Sequence, residues 1–125
     1  MEGIRNKLGS QTEEKACRLL SSHGWWCHRF ERKANGSQPC DIVAMKKGSN
    51  WLLDGKHCAK PYLATQRIEA NQLTCFKMAQ SKGIPCGFVC EHQGALYYIP
   101  FEEVDFKKSY QRLGRKFEDE IRDRE

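Results

Sequence analysis

The stretch CDIVAMKKGSNWLLDGKHC, residues 40–58, places two acids and a lysine on segments that otherwise have the composition of buried strands. Asp41 begins the first apolar segment, and Asp54 and Lys56 lie near the end of the second. The Gly, Ser and Asn between the two segments are typical of a turn. Side chains alternate between the two faces of a strand, so Asp54 and Lys56 are predicted to project from the same face.

The connection between the two segments sets which residues face each other. A hairpin with Lys46 opposite Trp51 would place Asp41 opposite Lys56, with Asp54 one diagonal away. All three polar side chains would then be within reach of one another on one face of a sheet. The sequence therefore predicts a compact polar cluster on two otherwise apolar strands.

The rest of the chain divides into further helices and strands. The predicted order is helix, strand, strand, strand, helix, strand, strand, helix, over residues 10–23, 25–30, 41–45, 51–57, 65–81, 84–90, 95–100 and a terminal segment from 114. This order predicts an α/β fold, with a central mixed β-sheet flanked by helices in a single domain. We expect residues 1–112 to form that domain and residues 113–125 to be a charged, solvent-exposed helical tail.

Two polar residues fall on predicted apolar helix faces. Ser10 is expected to cap the first helix with Glu13 as its capping-box partner, and Glu13 also lies on the inward face, whereas Glu14 points to water. Gln72 interrupts the apolar stripe of the second helix, where a side-chain amide needs a hydrogen-bond partner. Both residues are candidates for a functional site as well as for local structural roles.

Composition limits the class of protein. The chain has 125 residues, 30% of them charged, and a net charge of +5, which fits a nucleic-acid partner without requiring one. No apolar run approaches 18 residues and the first residues lack the apolar core of a signal peptide, so we expect a cytoplasmic protein with no membrane span. Seven cysteines are then read as reduced thiols.

A zinc site is the alternative interpretation of the cysteines. Cys86, Cys90 and His92 are close in sequence, but no C-x-x-C pair occurs, which most structural zinc sites use. Cys86, Phe88 and Cys90 share one parity of a predicted strand. We therefore favour small buried residues on one sheet face over a zinc site.

The polar cluster suits a hard divalent cation. Mg²⁺ or Mn²⁺ prefers carboxylate and carbonyl oxygens together with water and substrate phosphate oxygens. Asp41, Asp54 and the backbone carbonyl of Gly55 supply such ligands, and Glu13 is placed to hold a bound water or a second ion. Lys56 is expected to orient water and stabilise phosphate charge. The predicted chemistry is metal-assisted hydrolysis of a phosphodiester.

This ordered set resembles the PD-(D/E)XK nuclease superfamily, and within it the Holliday-junction resolvases. The resemblance is carried by GSQTEE at residues 9–14, PCD at 39–41, DGK at 54–56 and the glutamine of EANQL at 69–73. LGSQTEEKACRLLSSHGWWCHRF is similar to the start of the archaeal resolvases. NQLTCFKMAQSKGIPCGFVCEHQGALYYIPFEEV looks more like the bacterial RecU type, and the resemblance covers about residues 8–104.

The resemblance implies a restriction-endonuclease-like fold, a homodimer, and Mg²⁺- or Mn²⁺-dependent cutting of four-way DNA junctions. It also implies the roles of particular residues: metal-site acids at Glu13, Asp41 and Asp54, a catalytic lysine at Lys56 and an accessory amide at Gln72. The chain departs from the resolvase pattern in having Asp54 where glutamate is usual, His57 after the lysine, and a loop at residues 31–38 too short for the RecU stalk.

DNA contacts are expected from cations that neutralise phosphates. The candidates are Arg5, Lys7, Arg29, Arg32, Lys33, Lys60 and Arg67, with Arg32 and Lys33 favoured because they precede the strand that carries Asp41. Three other functions stay open at this point. They are a non-catalytic DNA- or protein-binding module with the same fold, another DNA nuclease of the superfamily, and a zinc-stabilised interaction domain.

Overall fold

The structure is a computed structural model that describes residues 2–31 and 38–125, with side chains from Lys7 onward in the first helix. The described helices are α1 (Glu2–Ser22), α2 (Ala70–Ser81) and α3 (Phe117–Arg122). The strands are β1 (Trp26–Arg29), β2 (Ile42–Lys46), β3 (Ser49–His57), β4 (Tyr62–Ala64), β5 (Cys86–His92), β6 (Ala95–Pro100), β7 (Tyr110–Arg112) and β8 (Arg115–Lys116). Within the described residues, no helix is long and apolar enough to cross a membrane.

Six strands form the central sheet, in the order β1-β2-β3-β5-β6-β8. Only the β3–β5 pair in this sheet is parallel, because α2 carries the chain from the end of β3 back to the start of β5. The remaining neighbours are antiparallel. The prediction of a single α/β domain with a central mixed sheet flanked by helices is therefore confirmed.

The first helix is longer than the sequence predicted. It begins at Glu2, so Ser10 lies in its interior and the predicted capping box with Glu13 is wrong. The helix ends as predicted at Gly24, whose φ of 85° allows the amides of Gly24 and Trp25 to bond the carbonyls of Ser21 and Leu20. Its inward face, with Glu13 buried and Glu14 exposed, is as expected.

The β2–β3 hairpin is tighter than predicted. Lys46 pairs with Ser49 instead of Trp51, and the turn contains only Lys47 and Gly48. Gly48 has a φ of 77°, a conformation that permits the chain to reverse at once, so Ser49 and Asn50 join the strand. The predicted register is wrong by two residues. A shift of two residues leaves each side chain on the same face of the sheet, so the predicted face of Asp54 and Lys56 is correct.

The sheet separates two apolar clusters. The first lies between the sheet and α1 and contains Trp51, Leu53 and Val89. The second lies between the sheet and α2 and contains Phe76, Phe88 and Cys90. Cys86 joins this second cluster, so the prediction that Cys86, Phe88 and Cys90 are buried on one face is confirmed.

Three short strands, β4, β7 and β8, were not predicted. β4 and β7 pair antiparallel as a separate two-stranded sheet, in which Tyr62 faces Arg112 and Ala64 faces Tyr110. β4 leads through a single 3-10 turn, Thr65–Arg67, to α2. The second helix therefore begins at Ala70, five residues after the predicted start at residue 65.

The prediction that residues 113–125 are a solvent-exposed tail is wrong, because α3 packs on the core. Phe117 and Ile121 of α3 are fully buried in the cluster that contains Trp51. The guanidinium of Arg124 lies 3.8 Å from the centre of the Trp51 ring, a cation–π contact. Two apolar residues one helical turn apart thus fix a segment whose composition is otherwise almost entirely charged.

His23 links the end of α1 to the terminal segment. Its ring contacts the carboxylates of Glu118 and Glu125, and these two hydrogen bonds raise the pKa of His23 above 6.5. A raised folded pKa stabilises the folded state fully below pH 6.5, and this contribution is lost as pH rises through the folded pKa. We therefore expect His23→Gln to lower the free energy of unfolding at pH 6 and to have little effect at pH 9.

Urea titrations at the two pH values measure this difference. His28→Gln, at an exposed histidine on β1, is the matched control and should show no such dependence. Equal effects of His23→Gln at both pH values would contradict an ionic role for His23.

Candidate metal and active site

Asp41 and Asp54 meet where β2 begins and β3 nears its end. Asp41 lies just before β2, and its amide donates to the carbonyl of Leu53 at 3.1 Å. Asp41 Oδ2 in turn accepts the amide hydrogen of Gly55 at 2.9 Å. Both aspartates are buried, with 2% and 0% of their surfaces exposed. The tight hairpin thus places Asp41 beside Asp54 and not opposite Lys56.

Gln72 and Lys56 surround the carboxylate of Asp54. The amide nitrogen of Gln72 donates to Asp54 Oδ1 at 2.8 Å, and Lys56 Nζ donates to Gln72 Oε1 at 3.2 Å. Lys56 Nζ also lies 3.1 Å from Asp54 Oδ2 as an ion pair. No donor among the described residues meets Oδ2 with hydrogen-bond geometry. Oδ2 of this fully buried carboxylate therefore has the Lys56 ammonium group as its neighbour, but no hydrogen bond of good geometry.

Gln72 has two roles at once. It is the third residue of α2, and its Oε1 accepts the amide hydrogen of Glu69, so that Glu69 and Gln72 form a capping box. The same side chain holds both Asp54 and Lys56. The start of α2 is thereby tied directly to the end of β3, which fixes the positions of the acid and the lysine.

Burial raises the pKa of Asp54 well above its ordinary value of 3.8. The nearby ammonium group of Lys56 opposes this rise, and the Asp41 carboxyl adds to it. Two carboxyls in a water-poor site repel each other when both are ionised. A divalent cation between them would relieve that repulsion and remove the reason for a bound proton.

The donor set fits Mg²⁺ or Mn²⁺. The carboxylates of Asp41 and Asp54 lie together, and Asp54 Oδ2 makes no hydrogen bond of good geometry. Carboxylate oxygens are the hard ligands that these cations prefer. Within the described part of the chain, no three His, Cys, Asp or Glu residues are grouped closely enough to chelate one ion. Two carboxylates with water and phosphate oxygens are a usual complement for Mg²⁺, and they leave coordination positions for substrate.

Glu13 lies on the other face of β3. Asp54 and Lys56 project towards α2, whereas Glu13 on α1 contacts the backbone of Gly55. A Cβ on Gly55 would lie 3.1 Å from Glu13 Cγ, so the glycine permits the helix to approach the strand closely. Glu13 also lines a cleft of about 340 Å³ with Ser10, Arg29, Phe30 and Glu31. Its predicted role at a second ion or a bound water stays a prediction.

The predicted DNA-contacting cations have different surroundings. Arg29 lines the cleft beside Glu13, and its guanidinium donates to the carbonyl and hydroxyl of Ser10. Lys60 is exposed, whereas Arg67 is half-buried and donates to the carbonyl of His57 at 2.8 Å. Arg67 therefore has a structural role that the sequence did not indicate. Of the remaining candidates, Arg32, Lys33 and the side chain of Arg5 lie outside the described residues.

The two residues that follow Lys56, His57 and Cys58, contact β5, the strand next to β3. Cys58 is buried against Cys90, and a hydrogen bond from the Cys90 thiol, aided by Arg67, lowers the pKa of Cys58 to about 7. His57 pairs in register with Glu91, a buried carboxylate. His57 and Cys58 therefore pack within the sheet or at its edge.

Glu91 is a buried acid that sequence reasoning missed. Thr12 donates to it at 2.8 Å and Lys15 forms an ion pair with it. Burial alone would raise the pKa of Glu91, but the two hydrogen bonds lower it below 4.5. The partners are more than 75 residues apart in sequence, so no local pattern indicated them. Glu91 joins α1 to β5 next to the DGK motif.

Comparison with solved structures identifies the architecture. The structure of Archaeoglobus fulgidus Hjc, described as a Holliday junction resolvase from an archaeal hyperthermophile, matches with a TM-score of 0.67. The match covers 91% of this chain and 98% of that chain, at 15% sequence identity. This chain has the same α/β fold as that structure. The similarity predicted from GSQTEE, PCD and DGK is confirmed at the level of fold.

The likeness of fold is not accompanied by a likeness of sequence. At 15% identity the match shows the fold alone. No protein-family model matches the chain. No curated protein matches it either. The catalytic reading therefore depends on the chain's own residues, chiefly Asp41, Asp54, Lys56 and Gln72.

Proposed function

We propose that the chain is a divalent-metal-dependent DNA endonuclease that cuts four-way junctions as a cytoplasmic homodimer. The observation that carries this proposal is the pair of buried carboxyls, Asp41 and Asp54, beside the ammonium group of Lys56. Lys56 supplies one positive charge to two buried acids, and a divalent ion would balance the remaining charge. The resolvase fold adds that the cluster occurs on a scaffold found in a nuclease of branched DNA.

Asp41 and Asp54 would hold Mg²⁺ or Mn²⁺, with the carbonyl of Gly55 as a further ligand. Such an ion, when bound, polarises a phosphate and favours ionisation of water. Lys56 Nζ donates to Gln72 Oε1, and this restraint supports a role for its ammonium group in stabilising charge on a phosphate oxygen or orienting water. Glu13, in its cleft on the other face of β3, would hold a second ion or a bound water.

A cleavage assay tests this proposal directly. Labelled four-way junction, linear duplex and splayed-arm DNA are incubated with Mg²⁺, Mn²⁺ or EDTA, and Asp41→Asn and Lys56→Ala are compared with the wild type. We expect paired nicks in the junction that require metal and fall at least about 100-fold in both variants, because each removes a group that acts on the transition state. Light scattering of the same sample measures the dimer.

The remaining outcomes of the cleavage assay would each indicate a different function. Equal cleavage of all three DNAs would retain the nuclease and remove the preference for junctions. DNA binding without cleavage, unchanged in Asp41→Asn and Lys56→Ala, would indicate a non-catalytic module. Exposed Glu14 forms a surface ion pair with Arg18, so Glu14→Gln is the matched control for loss of a carboxylate and should cut as the wild type does.

A further inference from the structure

The two-stranded sheet formed by Tyr62–Ala64 and Tyr110–Arg112, here called the β4–β7 ribbon, has one buried and one exposed face. Leu63 and Gln111 project inward and are almost completely buried. Tyr62, Tyr110 and Arg112 project outward. The rings of Tyr62 and Tyr110 lie 4.8 Å apart, so the outer face displays a paired aromatic surface next to an arginine.

Hydrogen bonds to Gln111 hold the ribbon rigidly in place. Its Oε1 accepts the amide hydrogen of Asp105 at 2.9 Å, and its Nε2 donates to the Thr65 hydroxyl and the Asp105 carbonyl at 2.8 Å. The Thr65 hydroxyl donates in turn to the carbonyl of Lys108. A buried amide with all these partners fixes the strand positions, and with them the outward side chains.

Positive charge exceeds negative charge on the two stretches of chain that contain the ribbon strands. Residues 56–67 and 106–116 contain eight of the 21 lysines and arginines and none of the 16 acids. The remainder of the chain is therefore net negative, although the whole chain has a charge of +5. Of these eight cations, Arg112 lies on the ribbon, and Lys60, Lys107 and Lys108 lie beside its strands in sequence, whereas Lys56, Arg67 and Arg115 have partners elsewhere. The four cations on and beside the ribbon favour binding of a polyanion there.

The cations on and beside the ribbon have no ion-pair partner within the part of the chain that the structure describes. Among the described residues, no carboxylate forms an ion pair with Lys60, Arg112 or the adjacent Lys107 and Lys108. Arg115, three residues beyond β7, is in contrast paired with Asp123. Exposed and unpaired cations beside tyrosine hydroxyls are suited to phosphate oxygens, which accept from both.

The length of the connecting chain limits how far the ribbon can lie from the cluster at Asp54. Tyr62 follows Lys56 by six residues, which limits their separation to about 21 Å. Arg67, at the end of the same connection, is bonded to the carbonyl of His57. A B-DNA turn is about 34 Å long, so one duplex arm can contact the ribbon and place a phosphate near Asp54.

We propose that the β4–β7 ribbon is a DNA-docking surface that binds the backbone of one duplex arm through Arg112, Lys60 and the hydroxyls of Tyr62 and Tyr110. This assignment rests on the proposed function for the identity of the polyanion. The surface is independent of the metal cluster, because none of its side chains belongs to the set around Asp54. It therefore holds the substrate and takes no part in the reaction.

Binding measured in EDTA tests the ribbon without cleavage. Fluorescence anisotropy of a labelled four-way junction is recorded over a series of salt concentrations for Arg112→Gln and for the matched control Lys77→Gln, an equally exposed and unpaired cation on α2. We expect Arg112→Gln to weaken binding about tenfold at low salt and to reduce the slope of log K against log salt by about one. Lys77→Gln should leave both quantities unchanged.

Tyr110→Phe separates hydroxyl contacts from charge. It retains the ring and should weaken binding a few-fold with no change of salt slope. Wild-type affinity and slope in both Arg112→Gln and Tyr110→Phe would overturn the docking surface. So would a change from dimer to monomer on light scattering in these variants, because the ribbon would then be a contact between copies. Parallel cleavage assays distinguish the two proposals. If the wild type never cuts DNA but the ribbon variants bind it more weakly, the docking surface is supported and the nuclease proposal is rejected.

Discussion

Asp54→Asn should abolish metal-dependent cleavage while leaving the fold intact or more stable. The asparagine Oδ1 still accepts from Gln72, so the contact at 2.8 Å is preserved. What is lost is the negative charge beside Asp41, and with it the second anionic ligand for the ion. We expect cleavage of the junction to fall at least about 100-fold, since the group acts on charge in the transition state.

The stability of the same variant follows from the pKa of Asp54. Burial raises the folded pKa above 3.8, so the unfolded chain releases this proton at a lower pH than the folded chain does. The wild type therefore loses stability as pH rises from 3.8 to the folded pKa of Asp54, by at most about 1.4 kcal/mol per pH unit. Asparagine has no carboxyl proton to release, so the free energy of unfolding of Asp54→Asn does not fall with pH for this reason.

Urea titrations in EDTA at several pH values between 4 and 8 measure the effect. The free energy of unfolding of Asp54→Asn minus that of the wild type should rise across this window. Glu91 and Glu118 titrate in the opposite sense, and they cancel in the difference between the two proteins. A variant that unfolds more easily at pH 8 than the wild type, or that cuts DNA within a few-fold of it, would contradict this account of Asp54.

The face of the sheet on which Asp54 lies was predictable because strand alternation is local. A register error of two residues left that face unchanged, since two is the period of a strand. The identity of the neighbour of Asp41 was not predictable, because it depended on how tightly Gly48 turns the chain. Gln72 was recognisable as a polar residue on an apolar helix face. Its two partners at β3 became evident only from the packing of α2.

Two features had no signal of adequate length. β4 and β7 contain three residues each and lie 45 or more residues apart, so neither alternation nor turn spacing indicates their pairing. The terminal segment has the opposite difficulty, because its charged composition predicts exposure while only Phe117 and Ile121 decide its position. Composition averages over a segment, whereas packing depends on the few residues that reach the core.

Phe117→Ala should destabilise the protein severely if the terminal helix is part of the core. The ring of Phe117 is fully buried, with its centre 5.3 Å from the ring of Trp51 and 6.0 Å from that of Tyr98. Replacing a buried phenylalanine by alanine costs about 3–5 kcal/mol. Domains of this size have a free energy of unfolding of about 5–15 kcal/mol, so the loss is a large fraction of the total.

Phe106→Ala is the matched control, since Phe106 is the same residue type with 49% of its surface exposed. It should change the free energy of unfolding by about 0.5 kcal/mol or less. Circular dichroism in urea gives both values, and removal of residues 117–125 should cost at least as much as Phe117→Ala. Equal small effects of Phe106→Ala and Phe117→Ala would return the segment to a frayed tail. A large effect of Phe117→Ala alone would show that the terminal helix is part of the core. The same core positions β3, and β3 carries Asp54 and Lys56.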